Sequence, residues 1–286
     1  MGILFAFIAL ICWGIGDFLI QKSSREFGKW VALFFIGAIA SIALFPFVYQ
    51  NIGAVIADRP ILLILIVASF VLLLTALLDF QALSDGKISV IEPIMALEIA
   101  VTAAFSFLVI GERLTGVQIA LIIALVAGII LVATRSFHHL KNIKAEKGVW
   151  LALAGAVCMG TTNFLFGIGA RETNPLIVNW FTSLFLTLAC LVYLVANKQF
   201  KNIFADWHKD KKLLIGVGLI DNAAWIAYSY STLYIPIAVA ISISESYVAL
   251  AALLGLLFNK EKLRKHQYVG LALAIICAVA LAAVTS

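Results

Sequence analysis

The sequence predicts an all-α polytopic membrane protein whose ten transmembrane helices form two inverted five-helix repeats. Composition, the lengths of the apolar stretches and a duplicated motif lead to that reading. Hydrophobic residues account for 64% of the chain and charged residues for 12%, and a mean hydropathy of +1.10 leaves too little polar surface to coat a soluble domain. About 20 apolar residues cross a hydrocarbon core of roughly 30 Å. Ten stretches have that length, at 3–21, 30–50, 61–83, 88–110, 116–134, 149–170, 175–196, 213–233, 237–258 and 267–284. They read as helices because none alternates apolar and polar residues, as the ~10-residue strands of an outer-membrane barrel do.

Duplication sets the organisation. The pattern Cys-x-Gly-x-x-[Asp/Asn]-Phe-Leu runs from Cys12 to Leu19 and again from Cys158 to Leu165. A shift of 146 pairs Gly2 with Gly148, Gly14 with Gly160 and Asp17 with Asn163, and a shift of 149 later pairs Ala100 with Ala249, Glu112 with Glu261 and Gln118 with Gln267. Consistent offsets of this kind mark two copies of one unit, expected at residues 1–135 and 148–286 with a basic linker at 136–147 between them. Five spans per copy is an odd number, so the second copy enters the membrane from the side opposite to the first. The halves can then exchange conformations across the bilayer.

Taken in order, the spans differ in what they carry. Span one has no basic residue ahead of its apolar run and reads as a retained helix rather than a cleaved signal; Trp13, Asp17 and Gln21 share one face at four-residue spacing. Span three carries Asp79 and span four carries Glu92 and Glu98, with Met95, Glu98 and Thr102 on one face. Pro93 and Pro236 stand at the expected starts of spans four and nine, where a missing N–H is tolerated. Spans six and seven offer the neutral groups Asn163 and Asn179, which are also candidates for bonding helix to helix. In span eight Asp221, Trp225 and Tyr228 fall at i, i+4 and i+7, and span nine holds Glu245 and Tyr247. Cys12, Cys158, Cys190 and Cys277 all lie within spans and are expected to pack as small apolar residues.

Orientation follows from the basic residues. Of the 20 Lys and Arg, 17 lie in loops after odd-numbered spans, and only Arg59, Arg113 and Arg171 follow even-numbered ones. The positive-inside rule makes the odd loops cytoplasmic and puts both termini outside. The net charge of +5 is then a topology signal facing anionic lipid, and no nucleic-acid partner is expected.

Each copy ends in a small-residue-rich helix, a short acidic–basic turn and a last apolar helix. Ile91-Glu92-Pro93 leads to Gly111-Glu112-Arg113-Leu114-Thr115 in the first, and Ser244-Glu245-Ser246 leads to Lys260-Glu261-Lys262-Leu263 in the second. In these features the chain resembles the EamA repeats of the drug/metabolite transporter superfamily, over nearly its whole length. The resemblance implies a ten-helix secondary transporter for amino acids, amines, nucleosides or drugs, with export the commoner direction. The second copy departs from the pattern: no Gly precedes Glu261 and no Pro matches Pro93.

Six carboxylates lie within spans, Asp17, Asp79, Glu92, Glu98, Asp221 and Glu245, without a Lys, Arg or His among them. A charge at a helix centre costs about 2.5 to 3.5 kcal/mol even on the lenient insertion scale. Such groups therefore face a cavity, meet a substrate cation or carry protons. By depth, Glu98, Asp221 and Glu245 suggest a central site, while Asp17, Asp79 and Glu92 suggest a vestibule, with Asp79 and Glu92 near the interface. The expected substrate-binding set is Asp221, Trp225, Tyr228, Glu245, Tyr247, Trp13, Asp17 and Asn163, in which rings and carboxylates would hold a cation. Glu98 is the expected proton-coupling residue, because protonation removes the cost of carrying a bare charge through an occluded state.

Enzyme signals are absent. The chain has no nucleotide-binding Gly-rich loop, no His inside an expected span and no Cys/His cluster at metal spacing, so no catalytic residue, cofactor or metal is expected. The expected protein is a multi-pass protein of the inner or plasma membrane. It would move a small, amine-bearing metabolite (an amino acid or amine) by alternating access. Import of a quaternary amine such as choline is the alternative, and a sensor or assembly partner is the non-transporting one. Its expected partners are the small-molecule substrate, the lipid bilayer and protons, with a homodimer left open.

The charge bias makes a direct topological prediction. A reporter fused after Ser286 behaves as non-cytoplasmic, and one inserted between Lys141 and Lys147 behaves as cytoplasmic. The reverse labelling would overturn the orientation but leave the inverted repeat intact.

Overall fold

The computed structural model describes residues 1–85, 88–134, 148–258 and 263–285. Expectations that rest on the 136–147 linker, on Glu261, or on the side chains of Gln21 and Glu92 lie outside what is described. Among the described residues, nine helical stretches are long and apolar enough to cross a membrane, and Ile237–Ala251 is a shorter tenth.

The first copy contributes α1 (Gly2–Phe27), α2 (Lys29–Val48), a short surface helix α3 (Ile52–Ala57), α4 (Arg59–Asp85), α5 (Ile88–Met95), α6 (Glu98–Ile110) and α7 (Gly116–Ala133). The second contributes α8 (Val149–Glu172), α9 (Pro175–Ala196), α10 (Phe200–Ser231), α11 (Ile237–Ser244), α12 (Tyr247–Phe258) and α13 (Lys265–Thr285). Thr115 starts α7 with a reciprocal capping box to Gln118, and the Asn174 side chain caps α9 ahead of Pro175.

Two spans differ from expectation in being broken. Span four divides between α5 and α6 at Ala96–Leu97, and span nine divides between α11 and α12 at Glu245–Ser246. The offset of 149 carries one break onto the other. Around each, the backbone tightens to three-residue bonds, Leu97 N–H to Ile94 O at 3.1 Å and Ser246 N–H to Ile243 O at 3.1 Å. The causes are different. Pro93 sits inside α5, not at its start, and withholds an N–H from the turn before the break. The second copy lacks that proline but has serines that bond back to the helix, Ser242 Oγ to Ala238 O at 2.6 Å and Ser246 Oγ to Ser242 O at 3.0 Å. Such back-bonding bends helices.

The segment 197–212, expected as a loop, is also helical for most of its length. Asp210 (φ −151°, ψ 75°) interrupts α10 and accepts the Leu213 N–H, so that a basic amphipathic helix precedes the membrane part. Its apolar side is held by Phe27, Val31 and Phe35, with Trp207 stacked on Phe35 at 5.5 Å.

Helices pair mostly between copies. α1 lies along α10 and α4 along α8, which are repeat-related pairs, while α2 packs on α9 and α7 on α13, each with its own counterpart. α7 and α13 run antiparallel: Gln118 at the start of α7 bonds Thr285 at the end of α13 (3.1 Å), and its repeat mate Gln267 bonds Val132 at the end of α7 (2.8 Å). The inversion is therefore visible in a single pair. The two backbones meet at Gly128 and Gly270, where a Cβ on either would stand 2.7 to 3.0 Å from the other's carbonyl oxygen, an approach that small residues permit in membrane bundles.

Candidate functional site

The paired breaks bring carboxyl groups together. Glu98 is the first residue of α6, where the positive end of the helix favours a carboxylate, and Glu245 caps the end of α11. Their side chains hydrogen-bond to each other. Two carboxyl groups at that separation share a proton, since both cannot carry charge so close together. Glu98 is 7% exposed. Beside the pair is a cavity of about 30 Å³ lined also by Met95, Ile129 and Tyr247, room for about one water.

The wall behind Glu98 is α8. Thr102 Oγ1 donates to Glu98 O (2.9 Å) and to Gly160 O (3.0 Å), and a Cβ on Gly160 would stand 2.7 Å from Glu98 O. One turn further along α8 is Asn163, 1% exposed. Neither atom of its amide has a hydrogen-bond partner, although its backbone oxygen accepts from Tyr228 Oη at 2.8 Å. An unpaired buried amide costs about 1 to 3 kcal/mol. Asn179, by contrast, donates to Pro175 O and Ser229 Oγ and ties helices together.

The repeat-related contact lies on the other copy's first helix. Asp17, the counterpart of Asn163, hydrogen-bonds Tyr247, the counterpart of Glu98. Asp17 is exposed while Asp221 is buried, and α1 crosses α10 at Gly16, whose added Cβ would reach the Asp221 Cα at 4.0 Å. Asp17 is near enough for its charge to act on both Asp221 and Glu98. Asp79, expected at the interface, packs against Gly155 and also acts on Glu98. Asp17 and Asp79, expected in a vestibule, thus lie within electrostatic reach of Glu98 of the expected central site. Depth along one helix does not say which neighbours the packing sets beside it.

The face Asp221–Trp225–Tyr228 turns its rings toward other rings. Trp225 meets Trp13 edge-on at 5.3 Å and Phe166 at 4.5 Å, and Tyr228 is fully buried 5.8 Å from Trp13. These four aromatics form a plug adjoining the carboxylates, on the side of the Lys-poor end.

Sequence reading passed over one further group. At the Lys-poor end Arg171 reaches Glu112 at 2.9 Å and also donates to Thr232 O (2.7 Å) and Ile235 O (3.1 Å). Glu112 accepts in addition from the amides of Ile237 (3.0 Å) and Ala238 (3.4 Å), the first of α11. A residue of the first copy thus caps the broken helix of the second. Arg171 and Glu112 lie 59 positions apart, and the only signal in the sequence was that basic residues are scarce on this side.

Known proteins resemble this chain along its length. The model of the EamA-like transporter family matches residues 1–134 and again residues 146–283. The uncharacterized protein MJ1333.1 of Methanocaldococcus jannaschii is 29% identical over 133 residues, which make up 46% of this chain and 95% of that protein. A solved crystal structure has a TM-score of 0.73 to this chain at 15% identity, covering 99% of this chain and 97% of its own, and this likeness concerns the fold.

Removing the Glu112 carboxylate tests the tie between copies. Glu112→Ala leaves Arg171 and two amides without their acceptor and costs about 2 to 4 kcal/mol, whereas Glu112→Gln keeps an oxygen for the Ile237 N–H and costs less. Thermal unfolding in detergent then ranks wild type above Gln above Ala. Equal losses would show that the helix cap contributes nothing beyond the charge pair.

Proposed function

The chain belongs to the EamA-like transporter family, and on that premise we propose that it is a secondary transporter exporting a small amine-bearing cation in exchange for protons. The observation that carries this reading is the hydrogen-bonded meeting of Glu98 and Glu245 at two helix breaks, with Asp17 and Asp79 in electrostatic reach of Glu98, Asp221 in reach of Asp17 and the buried, unpartnered amide of Asn163 alongside. Discontinuous helices at the repeat interface are where transporters of this architecture hold substrate and coupling ion. The shared proton between Glu98 and Glu245 is what an arriving ammonium would replace. Either occupant brings one positive charge and leaves the pair with the same single negative charge, so a proton and an ammonium can exchange there without changing the buried charge.

The direction rests on two features. Under the orientation set by the basic loops, the exposed Asp17 faces the cytoplasmic side. The aromatic plug and the Glu112–Arg171 tie lie toward the opposite side. A cation would enter by Asp17 and Tyr247, meet Glu98 and Glu245, and present its N–H groups to the Asn163 oxygen. Choline import is the weaker reading. A quaternary amine donates no hydrogen bond and depends on open ring faces, yet Trp13, Trp225, Tyr228 and Phe166 cover one another.

Two measurements on proteoliposomes and purified protein examine this. Asp221→Asn and Glu245→Gln weaken binding of a positively charged amine far more than binding of a neutral analogue; equal loss for both ligands would assign them to structure. Glu98→Gln abolishes accumulation driven by a proton gradient yet retains substrate exchange, which moves no net proton. Gradient dependence like that of wild type would remove Glu98 from coupling, and an absence of saturable flux in wild type across amines, amino acids and nucleosides would contradict transport.

A further inference from the structure

Consecutive helices α6 and α7 do not lie against each other. α6 leans on α8 and α11, while α7 pairs with α13. The space between them is an apolar cleft of about 550 Å³, walled by Ala100, Ala103 and Phe107 on one side and by Ile119, Ile123 and Val126 on the other. It opens sideways, since Phe107 is 62% and Ile123 65% exposed, and in a bilayer that direction is lipid. At one end it is bounded by the turn that carries Glu112 and Arg113. Glu112 is engaged by Arg171 and the α11 amides, which leaves the exposed Arg113 as the uncompensated charge of that turn among the described residues.

We propose that this cleft binds one acyl chain of an anionic phospholipid, with the lipid phosphate held by Arg113. An apolar trough with alanines at its base accepts a flexible hydrocarbon chain, which fills the volume that close packing otherwise leaves empty. A planar guanidinium recognises phosphate oxygens through paired N–H donors. Arg113 lies just past the end of α6 at Ile110, where the chain leaves an apolar stretch long enough to cross the membrane. A second copy of the chain fits less well, because it would have to bring an acidic group to Arg113. The acids at this end of the bundle are Asp58, Glu112 and Glu172, and Glu112 is already engaged.

Native mass spectrometry of the purified full chain, titrated with phosphatidylglycerol or phosphatidylcholine, tests the site. Wild type binds the first phosphatidylglycerol about fivefold to tenfold more tightly than phosphatidylcholine. Arg113→Gln removes that preference while leaving weak binding of both lipids. Ala103→Trp fills the trough and removes the tightly bound lipid; if it lowers the unfolding temperature, Ile123→Trp serves as the second filling variant. Equal affinity of wild type for the two lipids, or an unchanged preference in Arg113→Gln, would overturn the proposal. A dimer that the filling variants abolish would give the cleft to a second copy instead.

Discussion

A carboxylate inside a bilayer must be neutralised, and no basic side chain within the described spans of this chain does so. The fold is arranged around that constraint. Glu98 and Glu245 meet each other across the two copies and can do so only by sharing a proton. Asp17 accepts a hydrogen bond from a phenol, Tyr247. Arg171 is committed to Glu112 and to carbonyl oxygens at one end of the bundle. What remains at the centre is Glu98 hydrogen-bonded to Glu245 where the two broken spans meet, with Asp17 and Asp79 close enough for their charges to act on Glu98.

Symmetry of scaffold and asymmetry of chemistry coexist in those breaks. Both fall at the same repeat position, yet one follows a proline and the other a run of serines that compete for backbone carbonyls. The contact between the first helix and the broken span is likewise duplicated. In one copy it joins an acid to a phenol, and in the other it sets an amide with no bonded partner beside an acid. A strictly symmetric site would bind a ligand on the axis. Here the two sides offer different groups, an acid and a phenol on one and an amide and an acid on the other.

Much of the fold was legible because it is local. Span number follows from runs of apolar residues, and the repeat follows from offsets that survive in Cys12 and Cys158 or in Gln118 and Gln267. The breaks were not legible. Ala96–Leu97 reads as continuous helix, and Ser242 and Ser246 in an apolar run look like ordinary small residues until their hydroxyls are seen to bond backward. The face Asp221–Trp225–Tyr228 was correctly periodic, but periodicity could not reveal that its rings are covered by Trp13 and Phe166. The helix before Asp210 was hidden by its lysines, which mark it as basic without showing that its other side rests on Phe35. Tertiary contacts such as Arg171 to Glu112 leave almost no trace in a single sequence.

That last contact links the site to the symmetry. Glu112 accepts from the first amides of α11, so the ion pair holds the half-helix whose far end presents Glu245. α11 is eight residues long and spans roughly 12 Å, too short and too well packed to move at one end alone. Glu112 thus ties Arg171 of α8 to the start of α11, and Glu245 lies at the other end of that half-helix. The offsets map Glu112 to Glu261, Arg171 to Arg25 and α11 to α5. The residue types of this tie are thus repeated in the sequence of the other copy.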